Sequence, residues 1–68
     1  MARYEAITRA IADAVANLDV NAQVVRVSPY GCKILSNNSD AVAELLNAQF
    51  CETVVANVLS ADLVQCLF

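Results

Sequence analysis

Ser28, Tyr30, Cys32 and Lys33 crowd around Pro29 and Gly31, the only proline and the only glycine of the chain. A hydroxyl, a phenol, a thiol and an amine in one short stretch are the raw material of nucleophilic chemistry. Each needs a base to take its proton, and histidine, the commonest one, is absent from the sequence. A turn also brings unrelated side chains together, and Cys32 has the setting of a packed strand residue. Asp40 and Glu44 share a helix face at four-residue spacing, but a carboxylate at a helix start and a solvated glutamate account for them without acid-base work. No catalytic residue is assigned, and the chain reads as non-enzymatic.

Metal and phosphate chemistry fare no better. Cys32, Cys51 and Cys66 are the only thiols, odd in number and without a Cys-x-x-Cys pair. A closed zinc site would need a carboxylate or a second chain to complete it, so no metal or cofactor is expected. The expectation for each cysteine is a small buried hydrophobe. The odd, sparse set suits a reducing, cytoplasmic setting better than a disulfide scaffold. Glycine-rich phosphate loops are excluded in their usual forms by the single glycine. What remains for a small anion is the entry to the second helix at Asn38 and Ser39, if the fold brings Arg26 or Lys33 round to it.

The charge is lopsided. Arg3, Arg9, Arg26 and Lys33 all lie in the first half, whereas Asp40, Glu44, Glu52 and Asp62 leave the second half with acidic side chains only. A net charge of -3 lacks the footprint of a nucleic-acid binder. Glu5, Arg9 and Asp13 interrupt any apolar run of signal-peptide length, so no secretory leader is expected. Glu52 and Asp62 would each cost about 2.5–3.5 kcal/mol near a bilayer centre, which argues against membrane insertion of the apolar C-terminal stretch.

The elements follow from pattern. Tyr4, Ile7, Ile11, Ala14 or Val15, and Leu18 recur at helical spacing, with alanines favouring helix between them. From Ala22 to Ser36 β-branched residues flank Ser28-Pro29-Tyr30-Gly31, a hairpin. A two-residue loop would pair Val27 with Cys32 but set Arg26 opposite Lys33. A three-residue loop with Gly31 in the left-handed region relieves that repulsion and is preferred. Asn37-Asn38-Ser39 opens a second helix, with Ser39 expected to cap it and Val42, Leu45 and Leu46 facing inward.

Residues 50–68 admit two readings. A two-on, two-off pattern suits a helix, and the valines suit a hairpin around Ser60-Ala61-Asp62. The hairpin pairs Leu59 with Leu63, Val58 with Val64, Asn57 with Gln65, Ala56 with Cys66, Val55 with Leu67 and Val54 with Phe68. One face then carries Val54, Ala56, Val58, Val64, Cys66 and Phe68. The expected architecture is a single two-layer α+β domain over 1–68, helix-strand-strand-helix-strand-strand with an antiparallel sheet, the alternative being a helical C-terminal third.

At 68 residues and 59% hydrophobic content the chain has more apolar side chain than one small core hides. If Val54, Val58, Val64 and Phe68 pack under the helices, Val55, Leu59, Leu63 and Leu67 stay wet unless something covers them. The sequence therefore leads to a small acidic interaction or regulatory module that self-associates through this C-terminal surface and holds a further protein. That is the style of short virus-encoded inhibitors of host machinery. The other expectation is an oligomeric small-ligand or nucleotide-binding protein with a site at a subunit junction near Arg26, Lys33, Asn38 and Ser39.

Overall fold

The computed structural model describes residues 3–68. Its elements are α1 (Arg3–Leu18), β1 (Gln23–Ser28), β2 (Gly31–Leu35), α2 (Ser39–Gln49), β3 (Val55–Ser60) and β4 (Leu63–Leu67). The C-terminal third is a hairpin, not a helix. All strand pairs are antiparallel, and the sheet runs β1-β2-β4-β3. Reopening the ferredoxin-like β-α-β-β-α-β order before its first helix gives this element order, and the sheet order is the one that such a permutation leaves.

Both helices lie on one side of the sheet. Ile11 and Val15 of α1 and Val42, Ala43 and Leu46 of α2 form one core with Cys32, Ile34, Ala56, Val64 and Cys66. The alternation along each strand, period two, sends these residues to the helices and their neighbours to the other face. Leu18, expected in the stripe of α1, lies past the core and is exposed, and Leu45 is only half-buried. Val58, expected in the packed face of β3, is exposed and lines a recess with Asn37, Asn38 and Asp40 at the entry to α2.

Loops are tied by side chains. The Ser36 hydroxyl donates to Asp19 Oδ2 at 2.7 Å and accepts from the Asn38 N–H at 3.1 Å, joining the exit of α1 to the entry of α2. Asn38 takes the N-cap position and makes no side-chain cap bond. Ser39, expected to cap, is instead buried inside the first turn, where its hydroxyl donates to the carbonyls of Ser60 at 3.0 Å and Ala61 at 2.9 Å. Those carbonyls at the β3-β4 turn need a donor more than the solvent-facing helix start does.

The first hairpin has the two-residue loop, not the preferred three-residue one, and leaves that loop's register beyond the turn. Ser28 pairs with Gly31 across a two-residue Pro29-Tyr30 turn, and the ladder then shifts so that Val25 meets Lys33 and Val24 meets Ile34. The irregularity sits on β1, where Arg26 takes a φ of 50°, while Gly31 has no positive φ. Arg26 thereby leaves the position opposite Lys33, so the charge conflict is relieved on the other strand from the one expected. Gly31 is required for a different reason: a Cβ there would fall on the Cys66 carbonyl of β4.

Candidate functional site

Among the described residues no element covers the sheet face away from the helices. Strand register builds it in rows. Val25, Lys33, Gln65 and Asn57 are successive partners across β1, β2, β4 and β3 and form a central row with three polar members. On one side of it lie Leu35 and Leu63, with Leu59 beside them, and on the other Leu67 and Val55. Val55 is 55% exposed, Leu59 49%, Leu67 44% and Leu35 41%, and Leu63 is half-buried. Of the four self-association residues read from sequence, Val55, Leu59, Leu63 and Leu67, all lie on or beside this face.

The expected pairing of the second hairpin holds from Val55-Leu67 to Val58-Val64 and fails at its end. Ser60, not Leu59, meets Leu63, and Leu59 is the extra residue of a bulge. Ser60 Oγ donates to Asp62 Oδ1 at 2.8 Å, which favours a tight Ala61-Asp62 turn over the three-residue loop. Leu35 and Val25, absent from the sequence-based set, complete the face. The signal that could have located Leu35 was the placing of β4 beside β2, which puts it opposite Leu63.

Both sheet edges are poor sites for an added strand. On β3, the Asn47 side chain of α2 engages both backbone groups of Ala56, occupying the outward-facing pair. On β1, the bulge at Arg26 breaks the regular spacing of free backbone groups.

The four residues expected to form an anion site divide into two places. Arg26 and Lys33 line a recess of about 190 Å³ with Tyr30, Gly31 and Gln65. Asn38 and Ser39 line a separate recess with Asp40 and Val58, where the chain leaves the far end of β2. No residue is common to the two, so the helix entry and the cations do not converge. A further recess of about 430 Å³ lies between the start of α1 and the loop before β3, with Arg3, Tyr4, Glu52 and Phe68 in its wall.

The cysteines are all free thiols, and the expectation that each is buried fails for Cys51, which is exposed. Cys32 and Cys66 are buried Cα partners on β2 and β4. The neighbouring Cys66 side chain holds Cys32 below the ordinary thiol range, while the Cys32 side chain and burial push Cys66 up. Among the described residues no group of three or more His, Cys, Asp or Glu could hold a metal ion, and no helix is long and apolar enough to cross a membrane. No protein-family model, curated protein or solved structure matches the chain.

Proposed function

We propose that this chain is a small acidic, non-enzymatic interaction module of the cytoplasm whose open sheet face is covered by a second copy of itself. The observation that carries this reading is the one-sided sheet: the helices bury one face, and the other presents Leu35, Val55, Leu59 and Leu67 at 41–55% exposure. Three large apolar side chains in register on one face, with Leu59 beside them at the bulge, form a patch of the kind that associates.

Charge favours a second copy as the occupant. The β1-β2 half of the sheet carries Arg26 and Lys33, and the β4-β3 half is flanked by Glu52 and Asp62. Two sheets stacked about a two-fold axis parallel to the strands set the basic half of each over the acidic half of the other. Lys33 then meets the partner's amide row. A two-fold axis across the strands would stack Lys33 on Lys33, which costs energy. The poor edges leave face-to-face stacking, at about 10 Å between sheets, as the favoured geometry.

Light scattering across a concentration range, with reductant present, tests the reading. A dimer that Leu59→Asp or Leu63→Asp converts to a folded monomer supports it. A wild-type monomer at all concentrations, or a dimer indifferent to both substitutions, overturns it. A further protein partner would bind the assembled dimer, and the same substitutions would lower its affinity together with the mass.

A second reading rests on Arg26 and Lys33 sharing one recess. Two cations beside Tyr30 and Gln65 have the chemistry to hold a small anion at the junction of two subunits. Inorganic phosphate or a nucleotide would then raise the melting temperature, and Arg26→Ala would remove the effect. A screen of such anions without a shift would count against it.

A further inference from the structure

Cys32 and Cys66 face each other across the two central strands, and both point into the core beneath the helices. The Phe68 N–H donates to the Tyr30 carbonyl at 3.0 Å, and the Ser36 N–H donates to the Asp62 carbonyl at 2.9 Å. In the β2-β4 register these bonds lie an even number of positions from the cysteines on either side. Cys32 and Cys66 are therefore a hydrogen-bonded cross-strand pair. Such pairs hold their Cα atoms about 5.5 Å apart, inside the roughly 4.4–6.8 Å range that a disulfide spans. Both side chains share one face of the sheet at one register position, and the Cβ atoms of such a pair must draw in from about 4.5–5.5 Å to close the bond, a strain that leaves it readily reduced.

We propose that Cys32 and Cys66 are a dithiol modification site, closed to an intramolecular disulfide by a peroxide and reopened by a thiol reductant. In the forward direction the Cys32 thiolate attacks one oxygen of hydrogen peroxide. The O–O bond breaks, one water leaves after protonation, and Cys32 becomes a sulfenic acid. The Cys66 sulfur then attacks the Cys32 sulfur, the S–O bond breaks, and a second water carries off the hydroxyl and the Cys66 proton. Two thiols are oxidised by two electrons and one peroxide is reduced to two waters. The neighbouring Cys66 side chain lowers the Cys32 thiol and is itself raised in turn, so the first step falls to Cys32.

Position gives the bond a consequence. β2 belongs to the first hairpin and β4 to the second, so the disulfide staples the two halves of the chain across the middle of the sheet. The closed loop contains α2 and β3, and closing a long loop restricts the unfolded chain. Cys51, exposed and on the loop before β3, is not part of the pair.

The test uses the full chain carrying Cys51→Ser, which removes the exposed thiol. After hydrogen peroxide treatment in native buffer, the protein is unfolded and its thiols capped with an alkylating reagent. The expected result is a monomer lighter by two hydrogens, uncapped, with a Cys32–Cys66 linked peptide on digestion. Its melting temperature should rise by about 10 °C or more and fall back on reduction. Adding Cys66→Ser to that background, which keeps a polar neighbour for Cys32 and removes the resolving sulfur, should stop the reaction at a sulfenic acid on Cys32, trapped by a dione reagent. Two capped thiols after peroxide, oxygen addition without a cross-link, or closure only in denaturant would overturn the proposal.

Discussion

Asn47 holds Ala56 by both of its backbone groups. The side-chain Nδ2 donates to the Ala56 carbonyl at 2.9 Å, and the Ala56 N–H donates to Asn47 Oδ1 at 2.9 Å. The amide of α2 thus stands where a neighbouring strand's peptide would stand, and it docks the helix on the outer edge of the sheet. Replacing it with alanine leaves two backbone groups to water.

Asn47→Ala is therefore expected to lower unfolding stability by about 1–3 kcal/mol, from two lost hydrogen bonds. Urea denaturation would measure the loss, and hydrogen exchange would show the Ala56 amide losing protection. Asn47→Asp keeps the acceptor and loses the donor, so it should fall between the two proteins. An unchanged midpoint for Asn47→Ala would show that the clamp adds nothing to the packing of α2.

Gly31 makes a second local prediction. A Cβ at this position would overlap the Cys66 carbonyl, a backbone atom that cannot rotate away. Gly31→Ala should force β2 and β4 apart and cost about 2 kcal/mol or more, in the manner of overpacking. Tyr30→Ala, one residue earlier and 80% exposed, should change stability by less than about 0.5 kcal/mol. Paired denaturation curves for the two variants measure the difference, and equal midpoints would mean that β2 and β4 give way to the methyl at little cost.

How far pattern reaches into this fold can be judged at the two hairpins. In the second, the valines and the facing amides Asn57 and Gln65 fix a register that the structure keeps from Val55 to Val58. Alternation alone carries no information about the Leu59 bulge, which depends on the hydrogen bond between Ser60 and Asp62 inside the turn. In the first, the sequence shows the conflict between Arg26 and Lys33 but not which strand yields. Gly31 is free to bend until β4 is placed against it; the contact with Cys66 is long-range, and so Arg26 bends instead. Ser39 is the same lesson at a helix end. Its hydroxyl is drawn inward by carbonyls of a turn more than twenty residues away, a demand no local capping rule contains.

The strain at Arg26 is open to relief. A side chain with a Cβ at a φ of 50° is disfavoured relative to glycine. Arg26→Gly should stabilise the monomer by roughly 0.5–1 kcal/mol, whereas Arg26→Val, β-branched, should destabilise it by a similar amount or more. Thermal unfolding of both variants at one protein concentration checks the sign. Equal stability of the two would mean that the bulge has moved to another residue.

The stacking mode of the dimer can be read from one pair of cysteine variants. Lys33 and Gln65 occupy the central row on β2 and β4. With the two-fold axis parallel to the strands, β2 of one copy lies over β4 of the other, so Lys33 of each chain faces Gln65 of its partner. With the axis across the strands, each of these residues faces its own copy. In a Cys51→Ser background, Lys33→Cys protein mixed with Gln65→Cys protein should cross-link under mild oxidation, and Lys33→Cys alone should stay monomeric on a non-reducing gel. The electrostatic argument predicts this outcome because the parallel axis separates the lysines while the other stacks them. Cross-linking of Lys33→Cys with itself would reverse the assignment of the axis while leaving the open face as the interface. Absence of any cross-link from a protein that light scattering shows to be dimeric would place the interface elsewhere.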